Sequence, residues 1–314
     1  MSLQRIPEID YLKCVLILLM VAFHLVYIGD NYPYAKQIVY TFHMPGFLLI
    51  SGYLAQSMKD LRKGGRKVLW IFIPYACMEL SYAVASYLLP VRERITELSA
   101  GVLLDKLFLH PIGPYWYLHT LMLCFILYHL ACRCAPGNVL TRVVVFGLAL
   151  FGLHACGIIY WANGLYFLAG SVLCWCKLDF KSFFQPTWIA VIPLVLLCFY
   201  PENLDRSHLG GIAITYFCFC LLLWSYRHMP SRLARLSGFI GRNTLPVLLF
   251  SPVFTLLSRG YLPLFSFDST GICFLLVSVS LAVAGSIGIA WAMDRLHLSA
   301  YFFGKAQSVH PANA

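Results

Sequence analysis

Apolar stretches long enough to cross a bilayer recur from one end of this chain to the other, and they leave few folds open. In hydrocarbon every backbone N–H and C=O must find its partner inside the protein, so such stretches become helices. Ten are read, over 10–28, 37–57, 68–89, 115–132, 141–155, 158–176, 186–201, 208–226, 242–260 and 271–294, the fifth and seventh shorter than the rest. Hydrophobic residues make up 60% of the 314 and charged residues 11%, against about half and about a quarter in soluble domains. The expectation is an all-α, polytopic membrane helix bundle of about ten transmembrane helices. It forms one domain over 1–314, helical across 10–295, with a tail at 296–314 whose end, Gln307 to Ala314, reads as unstructured. The first apolar run follows Glu8 and Asp10 and lacks a small-residue cleavage site, so it reads as a retained span.

The net charge of +10 would suggest nucleic acid in a soluble protein. Here the basic residues collect in alternate loops. With the N-terminus inside, sixteen Lys and Arg fall in inner segments and six in outer ones, and Lys13 lies within the first span. That asymmetry follows the positive-inside rule at every turn, puts both termini in the cytoplasm, and makes membrane lipid the partner rather than nucleic acid. The location expected is the inner (cytoplasmic) membrane, crossed many times. Twelve cysteines lie mostly within apolar runs, with three Cys-x-Cys pairs and no Cys-x-x-Cys pair, so no metal is expected.

Ionisable residues inside such spans are costly, and they point into a bundle or a wet cavity. The first span carries Asp10, Lys13 and His24. At about 100° per residue, Lys13 and His24 lie on one face, roughly 16 Å apart along the axis, and Asp10 joins that face one turn earlier. In the second span, His43 precedes Pro45, Gly46 and Gly52, which loosen the backbone at a depth similar to that of His24. Glu79 sits near the middle of the third span and needs a partner that the sequence does not name. The basic loop 59–67, with Arg62, Lys63 and Arg66 around two glycines, suits either an anionic membrane surface or a phosphate site. Trp116 and Tyr117 open the fourth span, where aromatics form an interfacial belt or stack on a sugar. With Ser51, Tyr53, Glu79 and His119 they are the candidate acceptor-binding residues. Asn243 and Thr244 suit a helix cap before Pro246.

Asp10-x-x-Lys13 with His24 eleven residues after the lysine, followed by Phe42-His43-Met-Pro45-Gly-Phe47 and Ile50-Ser51-Gly52-Tyr53, resembles the integral-membrane Acyltransferase-3 family. Tyr115-Trp116-Tyr117-Leu118 and Gly241-Arg-Asn-Thr-Leu-Pro246 are similar to later segments of that family. The resemblance implies a bacterial O-acyltransferase that moves an acetyl or other short acyl group from cytoplasmic acyl-CoA to a hydroxyl of a carbohydrate or glycolipid. It makes His24 the catalytic base and Lys13 its basic partner, where many members have Arg. Lys63-Gly-Gly-Arg66 is similar to an element that meets the coenzyme, so acetyl-CoA is the implied donor, held by Lys13, Arg62, Lys63 and Arg66. His43 or Asp10 would orient His24. Ser251 stands where many members carry histidine. The competing class is a transporter or flippase of a glycan or small metabolite, for which the same polar stripe would be the pathway.

Overall fold

The computed structural model describes residues 5–55, 61–88 and 94–311 and, of 61–63, the backbone alone. Among these residues the chain is all-helical, with no strand. The helices are α1 (Pro7–His24), α2 (Val26–Asn31), α3 (Pro33–Tyr53), α4 (Leu61–Leu88), α5 (Ala100–Phe108), α6 (Trp116–Cys134), α7 (Val139–Ala155) and α8 (Trp161–Trp175). They continue with α9 (Phe180–Phe183), α10 (Val191–Cys198), α11 (Leu209–Arg227), α12 (Ser231–Arg242), α13 (Thr244–Tyr261), α14 (Ile272–Arg295) and α15 (Ser299–Phe302). Five described helical stretches are long and apolar enough to cross a membrane: Gly64–Leu88, Ala100–Cys134, Leu209–Arg227, Thr244–Phe265 and Ile272–Arg295. Val139–Ala155 and Trp188–Cys198 are shorter apolar helices.

The helices gather into two compact units. One comprises Met1–Phe47, Asp179–Ala300 and Lys305–Ala314, the other Leu48–Leu178 and Tyr301–Gly304. In the first, α1 packs along α12 and α13 and also meets α11 and α14, while α13 and α14 pair along their lengths. The second is built around α6, which packs on α4, α7 and α8.

Local sequence explains the ends of α1. Pro7 sits in the first turn, where its missing N–H costs nothing, and Glu8 and Asp10 face the helix's positive end. The apolar run continues to Ile28, yet α1 stops at His24, Leu25 is extended, and α2 restarts at Val26. No Pro or Gly stands at the break. His24 instead turns its ring back onto the Met20 carbonyl, one turn earlier, a bond that competes with the helical ladder. In α3, Pro45 cannot donate to the Thr41 carbonyl, yet the helix runs through it.

Three stretches read as loops are helical, and the basic segment 59–67 is the first of them, since α4 begins at Leu61 and carries Arg62, Lys63 and Arg66 in its first turns. Within 90–114, α5 begins at a Ser99 cap that accepts the Val102 N–H. Between the eighth and ninth spans, α12 lies against α1 so closely that a Cβ on Gly241 would come 1.8 Å from the Asp10 carbonyl oxygen. Loop charge hid all three, because charged helical faces resemble solvated loops.

The tail also departs from expectation. Asp294 Oδ1 accepts the Ser308 N–H and hydroxyl, each at 2.8 Å, and its Oδ2 accepts the Val309 N–H at 3.0 Å. Asn243 stands at the N-cap position of α13, but its side chain bonds no N–H of that helix. Its amide clasps His310 instead, receiving the His310 N–H at 2.9 Å and giving Nδ2–H to the His310 carbonyl at 3.1 Å. Residues 308–310 are therefore fastened to the starts and ends of two long helices.

Candidate active site

The end of α1 and the middle of α3 bring His24 and His43 to one place in the first unit. Each histidine donates its Nδ1–H to the carbonyl one turn back, His24 to Met20 at 2.6 Å and His43 to Val39 at 2.7 Å. A carbonyl only accepts, so both rings carry a proton on Nδ1, and in the neutral ring Nε2 is then the nitrogen with the lone pair. The His43 Nε2 is buried and meets no hydrogen-bond partner among the described residues. His24 is only partly buried. Between them stands Tyr40, its ring centroid 6.1 Å from that of His24 and 5.1 Å from that of His43. The Tyr40 hydroxyl donates to the Phe23 carbonyl at 3.3 Å. The Lys36 ammonium lies 5.6 Å from the Tyr40 ring centroid, and its stem rests against the bare backbone of Gly29. This constellation is a pair of imidazoles whose Nε2 atoms are not spent on the backbone, an aromatic wall and a nearby cation. Tyr40 and Lys36 were not among the sequence candidates. Their spacing of four and then three residues to His43 is the signal that could have found them.

At the other end of α1 lies a charge cluster. Asp10 is buried, with Lys13 Nζ on its Oδ1 at 2.8 Å and Arg5 Nε on its Oδ2 at 2.9 Å. Both carboxylate oxygens are thus engaged, and fourteen residues of helix put His24 on the order of 21 Å away. Asp10 does not orient His24; the Met20 carbonyl does.

The candidate acceptor residues fall in the second unit. Glu79 is fully buried and its partner is the Ile112 N–H, which donates to Oε1 at 2.7 Å. It ties down the loop before α6, where Gly113 adopts φ +65° and packs so tightly on Tyr82 that no Cβ would fit. His119 is buried and gives Nε2–H to the Phe108 carbonyl at 2.9 Å, so it anchors the end of α5. Tyr117 is buried with its hydroxyl 3.3 Å from Ser51 Oγ, and Trp116 stands edge-on to it. Tyr53 ends α3, partly buried. Of the donor-side residues, Arg66 is exposed on α4, whereas the side chains of Arg62 and Lys63 lie outside the described residues. Ser251 is buried within α13, beside Pro252.

Comparison with known proteins gives these positions a context. A family model described as an acyltransferase domain matches residues 6–291, nearly the whole chain. The nodulation protein NolL of Sinorhizobium fredii (strain NBRC 101917 / NGR234) is 31% identical over 157 residues, covering 45% of this chain and 40% of that relative. The chain therefore matches less than half the length of this curated relative. No solved structure matches.

Proposed function

The chain belongs to the Acyltransferase-3 family, and from that premise we propose that it is a multi-pass membrane O-acyltransferase using acyl-CoA and a carbohydrate acceptor. Ten spans with both termini cytoplasmic put the N-terminal end of α1 at the inner surface and His24 in the outer half. The observation that carries the reading is the Nδ1–H bond from His24 to Met20, which fixes Nε2 as an open base. Supporting it, Lys13 stands three turns away toward the N-terminus of α1, roughly the reach of a pantetheine arm. In this reading Lys13 meets a phosphate of acetyl-CoA. His24 Nε2 takes the proton of a sugar hydroxyl as its oxygen attacks the thioester carbonyl. The C–S bond then breaks, and the thiolate leaves with the proton held by the imidazole. Tyr40 offers the sugar a ring to stack on.

The test is transfer of radiolabelled acetyl from acetyl-CoA to surface glycans in membranes carrying wild type or His24→Ala. Wild type transfers label, and the variant falls by about a hundredfold or more. Equal transfer at equal protein level ends the assignment, and a wild type that neither transfers nor hydrolyses acetyl-CoA favours the transport class.

A further inference from the structure

Within the first unit α12 joins α11 to α13, and the proposed reaction gives it no role. Leu209–Arg227 and Thr244–Phe265, on either side of it, are each long and apolar enough to cross a membrane. The 12 residues of α12 are too few, since about 18 Å of helix falls short of a hydrocarbon core of about 30 Å. Joined to one end of each span, α12 lies at a membrane surface. Trp224 and Tyr226 close α11 on its approach to that level, where aromatic side chains mark the interface.

The side chains of α12 divide among three faces. At about 100° per residue, Ala234, Ser237, Gly238 and Gly241 share the first. That face belongs to the protein: Ser237 and Gly241 are buried, and Gly241 lies against the Asp10 carbonyl of α1. About a third of a turn away, Leu233, Leu236 and Ile240 share the second. Leu233 is 53% exposed and Leu236 55%. The remaining arc carries Arg232 and Arg235, both exposed, with the partly buried Phe239 between them. Arg227, also exposed, ends α11 four residues before α12 begins. Among the described residues none of these three arginines has a hydrogen bond or an ion pair.

An apolar row beside a basic row, with the third side resting on the protein, is the pattern of a helix lying in the plane of a bilayer. Guanidinium forks with no carboxylate to meet match headgroup phosphates. Charge then selects the occupant, because an anionic surface attracts each arginine while a zwitterionic one carries no net charge to attract it. We propose that α12 docks on anionic phospholipid, with Leu233 and Leu236 among the acyl chains and Arg232 and Arg235 on the headgroup phosphates. This is independent of the acyl-transfer reading and needs only that α11 and α13 cross a membrane.

The test places the full chain in nanodiscs of equal parts phosphatidylglycerol and phosphatidylcholine. Mass spectrometry of the released protein counts the lipids it keeps. Wild type keeps phosphatidylglycerol in preference, and Arg232→Gln with Arg235→Gln lowers that preference about tenfold. Arg232→Lys with Arg235→Lys retains the charge and loses less of the preference. The apolar face is read separately, with both arginines intact, so a glutamine pair that fails to fold does not end the test. Leu236→benzoylphenylalanine, illuminated in the same nanodiscs, gains the mass of a phospholipid. Equal retention of the two lipids by wild type, or an unchanged preference in the glutamine pair, overturns the headgroup contact. A protein that gains no lipid on illumination, or one that crosslinks in cells to a soluble protein instead, overturns the docking and gives that face to water or to a protein partner.

Discussion

Met20 and His24 lie one helical turn apart, and the hydrogen bond between them selects the nitrogen that can act as a base. The same device at Val39 and His43 gives a second neutral ring of the same tautomer. Tyr40 separates the two, so its ring has a positional effect that its hydroxyl does not share. Tyr40→Phe keeps the wall and gives up the hydroxyl's bond to the Phe23 carbonyl, and in the proposed reaction transfer stays within about threefold of wild type. Tyr40→Ala opens the wall and lowers transfer by about tenfold or more, because misplaced catalytic groups lose rate steeply. Steady-state assays on both variants check this pair. Glu79 makes a structural demand instead. Glu79→Ala removes the acceptor of the Ile112 N–H and lowers stability by roughly 1–3 kcal/mol, whereas Glu79→Gln keeps an oxygen there and costs less; thermal unfolding in detergent measures both. The sequence marked Glu79 as expensive from its depth in an apolar run. Its partner is a backbone amide 33 residues away, which no local pattern announces.

At the scale of elements, glycine decides where helices touch. A Cβ on Gly52 of α3 would come 2.0 Å from the Phe167 carbonyl oxygen of α8, and one on Gly170 would come 1.9 Å from that of Leu49. The two helices thus meet backbone to backbone, as small residues allow in membrane proteins. Gly52→Ala and Gly170→Ala force them apart and destabilise by about 1–3 kcal/mol or more. Gly147 of α7 has open space at its Cβ, so Gly147→Ala gains a few tenths to about 1 kcal/mol of helix propensity. Unfolding midpoints in one detergent separate the two classes. The fastened tail adds a pH response. Burial first, then Lys305, Arg242 and Lys13, hold the His310 imidazole below its usual value against the pull of Asp10. Its folded value is the lower one, so the docked tail is at full strength above the ordinary imidazole value, about 6.5. It weakens as pH falls through that value, because the released tail takes the proton first. Exchange at residues 308–310, corrected for intrinsic rate, rises between about pH 7.5 and 5.5, and His310→Ala abolishes the rise.

Across the whole molecule, the loop charges and the exposed cysteines combine into a topology test. Cys156 and Cys273 are exposed at turns that the ten-span reading puts outside, and Cys134 and Cys176 at turns that it puts inside. In single-cysteine variants on intact cells, an impermeant maleimide labels the first two and spares the second two; the reverse pattern or uniform labelling breaks the reading. Membrane residence, helix as the only spanning structure, and the family were all written in the sequence. Apolar length, charge bias between loops and the His24 and His43 motifs are local properties that survive without tertiary contacts. The same motifs hid what lies between them. Tyr40 and Lys36 look like ordinary interfacial residues until α3 packs beside α1. Asn243 looks like a cap until the tail arrives 67 residues later. Asp10 looks like a partner for His24 until Lys13 and Arg5 take both its oxygens. Which polar group meets which is settled by long-range packing, because a buried donor or acceptor bonds whatever the folded chain brings within 3 Å, whatever the sequence places nearby.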